Sequence, residues 1–99
     1  MELEFEAQLW RWEVRREDWG FVSVPPEASI EIRELAEVLP PRGFGSIRVE
    51  VMIGATRWRT SIFPDGDDSY SLPIKGQVRR KHGLEIGDTT TVHLTILDA

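Results

Sequence analysis

The chain has 99 residues with a formal net charge of −5, and it contains no cysteine. This length is enough for one domain and too short for two independent cores. The absence of cysteine excludes a disulfide framework, a thiol nucleophile and a cysteine-ligated metal site. The acidic balance disfavours a protein whose main task is nucleic-acid binding, because phosphate contacts require positive charge.

The charge is unevenly distributed along the chain, and no segment indicates export or membrane insertion. Residues 1–50 contain eleven acids and six bases, whereas residues 51–99 contain six of each. The N-terminal stretch MELEFEAQ lacks the basic and apolar regions of a secretion signal. No apolar run approaches the roughly 18 to 20 residues of a membrane span. We therefore expect a cytoplasmic protein without membrane contact.

The beginning of the chain predicts two strands. Apolar and polar residues alternate from Leu3 to Leu9, as in a half-buried strand. The apolar parity changes at Trp10, and such a change indicates a β-bulge. A second short strand, Phe21 to Val24, stops at two consecutive prolines.

The next segment, EASIEIRELAEVL, predicts a short helix. Pro26 suits the first helical turn. Ile30, Glu34, Leu35 and Val38 have the spacing of a short amphipathic helix, whose apolar residues share one face. Alternation of Ile30 and Ile32 also fits a strand, and the helix is our prediction.

The second half predicts four strands and a basic helix. The clearest strand is SIRVEVMI, whose branched residues fall on one face. A tight turn at Gly54 leads into ATRWRTSIF, and the loop PDGDD leads into a strand from Tyr70 to Leu72. A helix from Lys75 to His82 ends at Gly83. The last strand, TTTVHLTIL, is expected to point Val92, Leu94 and Ile96 inward.

The two halves of the chain resemble each other. A shift of 48 residues aligns positions 3–33 with positions 51–81 without a gap, and the identical pairs include Trp10-Arg11 with Trp58-Arg59 and Pro25 with Pro73. Repeated units of this kind bury their apolar faces against each other. We predict a single domain over residues 1–99, built from pseudo-repeats of about 1–49 and 50–99. Two such units would close one small barrel, which removes exposed sheet edges.

Three segments resemble a known family: WGFVSVP (19–25), GFGSIRVEVMIGATRWRTSIFPDG (43–66) and YSLPIKGQVRRKHGLEIGD (70–88). They resemble a bacterial family defined only as domain of unknown function 1905, over about nine-tenths of the chain. The stretch LPIKGQVRRKHGLEIGDTTTVHL is also similar to the swapped-hairpin module of transition-state-regulator and antitoxin DNA-binding families. The resemblance implies a mainly β fold, a small six-stranded double-split-type β-barrel with two short helices, and it implies no established activity.

The second helix and the strand that contains Arg57 carry the candidate site. No acid lies between residues 69 and 84, so this part of an acidic chain has a local excess of positive charge. The predicted ligand or partner face consists of Arg57, Arg59, Lys75, Arg79, Arg80 and Lys81. Such a face suits an anionic ligand or an acidic protein partner. The alternative interpretation is the solvated side of an amphipathic helix, whose C-terminal cations the helix dipole favours.

The first helix differs in charge at the corresponding positions. Glu27, Glu31 and Glu34 stand there, whereas the second helix carries basic residues. Duplex DNA bound by both halves is therefore disfavoured.

The two Trp-Arg elements allow two interpretations. Their indole rings and guanidinium groups suit a groove for a planar ligand. Neighbouring strand residues point to opposite faces, however, so the tryptophans also suit the core and the arginines the surface. The alternation favours core packing, and Trp19 is the better candidate for an exposed aromatic residue.

No arrangement of residues indicates catalysis or metal binding. Asp65, Asp67 and Asp68 suggest a calcium loop, but Gly76 stands where the bidentate glutamate is required. The stretch GFGS lacks the following Lys-Ser/Thr of a phosphate-binding loop. His82 and His93 lie on different elements without a suitable carboxylate spacing. We predict no catalytic residue, no cofactor and no metal.

These observations support one leading hypothesis and two alternatives. The leading hypothesis is a noncatalytic binding or interaction module that is a monomer or weak dimer. One alternative is a DNA-binding regulator of the swapped-hairpin type that acts as a dimer. The other is a small-molecule-binding protein or an enzyme that uses the mouth of the barrel.

Overall fold

The computed structural model describes residues 1–11, 20–38, 45–66 and 69–97. In these residues seven strands and two helices follow one another along the chain. They are β1 (Glu2–Gln8), β2 (Trp10–Arg11), β3 (Gly20–Ser23), α1 (Pro26–Glu37), β4 (Ile47–Ile53), β5 (Thr56–Pro64), β6 (Tyr70–Ile74), α2 (Gly76–Lys81) and β7 (Thr89–Ile96). The predictions for Trp19, Asp67, Asp68 and the start of the GFGS stretch lie outside the described residues.

The strands form one antiparallel sheet in the order β1-β7-β4-β5-β6-β3-β2. The two end strands of this order, β1 and β2, are consecutive in the chain and are separated only by Leu9. The sheet therefore curls, so that its two end strands are joined through this residue without pairing with each other. The fold is mainly β, a curled half-barrel with two helices.

Leu9 accounts for the seventh strand. β1 pairs with β7 before this residue, whereas β2 pairs with β3 after it. Leu9 itself is buried, its amide donates to Asp88 O over 2.8 Å, and its carbonyl accepts from Gly87 N over 2.8 Å. The parity change predicted at Trp10 thus marks the point at which the chain changes pairing partner, and the six-strand prediction counts two strands as one.

The centre of the core comes from β4 and β7. As predicted, their branched residues alternate strictly inward, and all of them are buried: Ile47, Val49, Val51, Ile53, Val92, Leu94 and Ile96. One hydrophobic cluster joins these side chains to Val22 of β3, Leu72 of β6, Ile32 of α1 and Val78 of α2. Burial of each such aliphatic side chain contributes about 1.5–3 kcal/mol. This core holds both helices to the sheet.

Helix α1 begins at Pro26, as predicted, but it buries a different face. Ile30 is 48% exposed and Val38 is 79% exposed, whereas Ile32 is 0% exposed. The buried Ser29 hydroxyl donates to Val24 O over 3.1 Å, which fixes the first turn of the helix against the end of β3. The prediction that Ile30 and Val38 face the core is therefore wrong.

The two helices lie at opposite ends of the β3–β6 strand pair. These strands are antiparallel neighbours, with Gly20 opposite Ile74 and Ser23 opposite Ser71. Because each helix follows the C-terminal end of its strand, α1 leaves the pair at one end and α2 at the other. Arg33 of α1 accordingly donates to Gly66 O over 3.3 Å, at the turn between β5 and β6.

Neither helix has the length of a membrane span. α1 has 12 residues and α2 has 6, and a span requires about 20. Among the described residues, no helix is both long enough and apolar enough to cross a bilayer.

Candidate functional site

Arg57 and Arg59, the strand arginine pair, project from the exposed face of β5. They alternate with Trp58, whose side chain packs against the core. Both arginine side chains are about two-thirds exposed, at 66% and 69%. The alternation of the strand therefore places these two predicted site residues side by side on the surface.

Glu50 of β4 binds both members of the strand arginine pair. Its Oε1 lies 3.2 Å from Arg57 Nε, and its Oε2 lies 3.7 Å from Arg59 Nε. Glu50 is directly opposite Arg59 in the β4–β5 register. One carboxylate is thus shared between two guanidinium groups, which halves the net charge of this surface. Exposed pairs of this kind each contribute about 0.2–1 kcal/mol.

The exposed cations of the second helix are Lys75, Arg80 and Lys81, which we call the α2 cation cluster. Lys75 is the residue immediately before α2, and the other two lie in its last turn. The Arg80 side chain folds back along the helix. Its Nη1 lies 3.0 Å from the position that a Cβ on residue 76 would occupy. Its guanidinium group therefore lies beside Gly76, the first residue of α2, which follows Lys75 in the sequence.

Arg79 occupies a different environment from the α2 cation cluster. It is only 6% exposed. A Cβ on Gly20 would lie 3.0 Å from Arg79 Cδ and 3.2 Å from Leu9 Cδ1, so the aliphatic part of Arg79 lies against β3. Its Nη2 reaches to 3.6 Å from the Cβ position of Gly76. The end of the Arg79 guanidinium group therefore lies beside the first turn of α2, and the aliphatic part of the side chain is buried against β3.

The structure divides the six predicted residues into the strand arginine pair, the α2 cation cluster and the buried Arg79. Within residues 45–66 and 69–97, Arg57 contacts Glu50 and Met52, and Arg59 contacts Glu50. None of these three contacts involves α2. Thr56, which precedes Arg57 on β5, contacts His82 directly after α2. Because neighbouring strand residues point to opposite faces, the strand arginine pair lies on the other face of the sheet from this contact and is a surface separate from the α2 cation cluster.

His82 fixes α2 to the turn between β4 and β5. Its Nε2 lies 2.8 Å from Thr56 Oγ1. The ring also covers Gly54, because a Cβ on that glycine would be 2.9 Å from His82 Cε1. Sequence reasoning considered His82 only as a metal ligand, and the Gly54–His82 contact gave no local signal because the two residues are far apart in the chain. The side chain positions the α2 cation cluster.

A shallow depression of about 530 Å³ lies on the outer face of β1, β7, β4 and β5. Its lining is of mixed charge, with Glu2, Glu4, Glu50, Arg57 and His93 among its residues. His93 Nδ1 lies 3.8 Å from Glu4 Oε2. Three carboxylates beside one guanidinium and one imidazole make this depression a poor site for an anion.

Both described Trp-Arg elements follow the strand alternation. Trp10 stacks on Phe21 with ring centroids 4.9 Å apart, and its Nε1 donates to Ser23 Oγ over 3.0 Å. Trp58 packs against the core, and its buried Nε1 has no hydrogen-bond partner among the residues that the structure describes. Arg11 and Arg59 are exposed. Trp58 therefore agrees with the core-packing interpretation, whereas Trp10 is half-buried against Phe21 and lies outside the core cluster.

The described residues contain no group of three or more metal-ligating side chains close enough to hold an ion. His82 and His93 make their contacts on α2 and β7, respectively, with different partners. The geometry of the described surface is that of separate charged patches.

Comparison with known proteins assigns the chain to a family. A model of the family described as domain of unknown function DUF1905 matches residues 5–94. None of the curated proteins compared with the chain matches it. The matched range includes all strands from β2 to β6 and both helices, and it contains the three segments that resemble this family in sequence. The chain therefore belongs to the DUF1905 family.

Proposed function

We propose that the protein is a cytoplasmic, noncatalytic interaction module that binds an anionic group at the α2 cation cluster. The observation that carries this proposal is the position of Arg80 Nη1, 3.0 Å from the Cβ position of Gly76, on a helix without acids. Arg79 Nη2 approaches the same point to 3.6 Å. The exposed Arg80 guanidinium favours a carboxylate or phosphate there, because it binds such groups through charge-assisted hydrogen bonds, and the Arg79 side chain beside it adds positive charge.

The strand arginine pair has a secondary place in this proposal. Glu50 already forms ion pairs with both arginines, so an incoming anion would have to compete with this side-chain carboxylate for the two guanidinium groups. The α2 cation cluster has no acid nearby in sequence, since none lies between residues 69 and 84. This difference supports α2 as the binding surface.

A surface site is better supported than a site within the curled sheet. Val22, Leu72 and Val92 are completely buried, and they belong to one continuous hydrophobic cluster. A ligand inside the sheet would have to displace these packed side chains. Loss of the packing of one large core side chain costs about 2–5 kcal/mol of stability. The proposal for this reason places no ligand inside the sheet.

We also propose that the fold is a double-split-type barrel of two pseudo-repeats. The 48-residue shift aligns Ser23 with Ser71, and these two residues are direct partners in the β3–β6 pair. A pair of equivalent residues facing each other across antiparallel strands is what a local two-fold axis produces. Under this proposal the acidic α1 and the basic α2 are equivalent helices, and that difference supports a partner other than duplex DNA.

The proposal is tested by titrating ¹⁵N-labelled protein with inorganic phosphate and with a polyglutamate peptide. We expect saturable amide shifts that centre on residues 75–81. Arg80→Gln should weaken binding roughly tenfold or more, because a charge-assisted hydrogen bond contributes about 1.5–3 kcal/mol.

Arg48→Gln is the matched control. It removes the same charge at the start of β4, whereas the residue after α2, His82, contacts Gly54 beyond the end of β4, so the affinity should stay unchanged. Equal weakening by both variants, or shifts that do not include α2, would contradict the proposal.

A further inference from the structure

The outer face of α1 exposes aliphatic side chains among acids. Glu27, Ile30, Glu31, Glu34 and Val38, which we call the α1 outer face, are all exposed. Ile30, Glu34 and Val38 follow one another at intervals of four residues and so form one stripe along the helix. Nothing in the described residues covers Ile30, at 48% exposed, or Val38, at 79%.

The helix does not neutralise these acids itself. Arg33 is its base, and Arg33 Nη2 donates to Gly66 O while the guanidinium lies 5.8 Å from the centre of the Tyr70 ring. Arg33 is thus held against the sheet at the β5–β6 turn. Like-charged residues at four-residue intervals, such as Glu27 and Glu31, destabilise a helix by a few tenths of a kcal/mol, about 0.2–0.5 per pair. A cationic partner would relieve this repulsion.

The charge that complements the α1 outer face is present on the same chain. The α2 cation cluster provides three exposed bases, and Ile86, in the connection after α2, is an exposed aliphatic residue at 42%. The two surfaces are therefore complementary. The α1 outer face combines acids with exposed aliphatic side chains, and the α2 region combines bases with one exposed aliphatic side chain. The two surfaces cannot meet within one chain, because the helices leave the β3–β6 pair at opposite ends.

We propose that the α1 outer face of one copy docks on the α2 cation cluster of a second copy of this chain. Two copies lying side by side and antiparallel bring each acidic helix against the other copy's basic helix, so the contact occurs twice around a two-fold axis. Closed two-fold dimers of this kind are the commonest homo-oligomers. The inference rests on the proposed function, because it names the anionic group that the α2 cation cluster binds.

Sedimentation velocity over a range of protein concentrations tests the dimer. We expect a monomer–dimer equilibrium at low salt that shifts towards monomer at about 0.5 M NaCl, where charges separated by more than a few ångströms are screened. Glu34→Arg and Arg80→Glu should each weaken self-association about tenfold, because each reversal acts at both contacts of the dimer. Arg48→Glu, with the same charge change as Arg80→Glu on a different surface, should not weaken it.

A mixture of the two single variants gives the sharpest test. In the mixed dimer the reversed charge at position 34 of one variant meets the reversed charge at position 80 of the other at one contact, and the second contact is that of the unmodified protein. The mixture should therefore form heterodimers more tightly than either variant forms homodimers. The chain that carries both substitutions should again form homodimers. A mixture that stays monomeric would overturn the proposal, as would open-ended growth of the unmodified protein instead of a dimer.

The phosphate and polyglutamate titrations separate this inference from the proposed function. Glu34→Arg should retain both ligands at α2 while losing the dimer. A protein that stays monomeric at all concentrations but still binds polyglutamate at α2 would overturn the dimer and leave the proposed function intact. A protein that neither dimerises nor binds polyglutamate or phosphate at α2 would overturn both the dimer and the proposed function.

Discussion

Helices α1 and α2 follow the two strands of the β3–β6 pair, yet different side chains hold them to the curled sheet. α1 packs Ile32 into the core and bonds Ser29 to the end of β3. α2 is half as long and uses Val78 together with the stem of Arg79. A longer helix can rely on aliphatic and small side chains, whereas a helix of six residues needs the reach of an arginine to cover the sheet beside Gly20.

The surfaces of the two helices differ as much as their anchors. α1 exposes acids with two aliphatic side chains, and α2 exposes bases. Both helices nevertheless occupy comparable positions, each after one strand of the same antiparallel pair. The position of a helix in this fold therefore does not determine its surface charge.

The largest expected effect comes from the anchor of α1. Ile32→Ala should reduce the free energy of unfolding by about 2–5 kcal/mol, because it leaves a cavity at a completely buried site. Ile30→Ala is the matched control, with the same chemical change two residues away on the exposed face, and should change stability by at most about 0.5 kcal/mol. Urea unfolding measures both. Equal losses would show that α1 does not bury the Ile32 face.

A second comparison concerns the turns next to the two helices. Gly54 at the α2 end and Gly66 at the α1 end both have positive φ, 56° and 77°. A Cβ on Gly54 would be 2.9 Å from His82, whereas a Cβ on Gly66 would meet nothing within 4 Å. Gly66→Ala should therefore cost about 1–2 kcal/mol from backbone strain alone, and Gly54→Ala should cost about 1–3 kcal/mol more from the clash.

Thermal or urea unfolding of both variants, each with and without His82→Ala, measures the contribution of the imidazole contact. The difference between the two glycine variants should shrink when the ring is removed. If it does not, His82 does not fix α2 to the β4–β5 turn.

Local patterns predicted most of the elements. The alternation of branched residues in β4 and β7 predicted both the strands and their buried faces, because strand geometry sends every second side chain to the same side. The parity change at Trp10 predicted the break at Leu9, although not that the chain there changes partner from β7 to β3. Which strands pair is decided by contacts between distant residues, and no local pattern contains them.

The candidate site depended more strongly on distant contacts. Arg79 packs its Cδ 3.0 Å from the Cβ position of Gly20, and Glu50 offsets half the charge of the strand arginine pair because it is opposite Arg59 in the register. The buried face of α1 was mispredicted because apolar spacing alone allowed Ile30 as well as Ile32. The hydrogen bond from Ser29 to Val24 selects the face that contains Ile32.

The smallest expected effect concerns Glu50. Glu50→Gln should cost less than about 1 kcal/mol of stability, since both arginine partners are largely exposed. It should nevertheless convert the strand arginine pair into an anion site, because the carboxylate that occupies both guanidinium groups is removed. In the phosphate titration, new amide shifts should appear at residues 57 and 59 while those of α2 stay unchanged.

Glu4→Gln removes the same charge from the same sheet face, but its nearest charged contact is His93, 3.8 Å away. It should therefore create no phosphate site on β5. If the unmodified protein already binds phosphate at the strand arginine pair as tightly as at α2, Glu50 does not occupy those arginines in solution, and the contrast between the two cationic surfaces is lost.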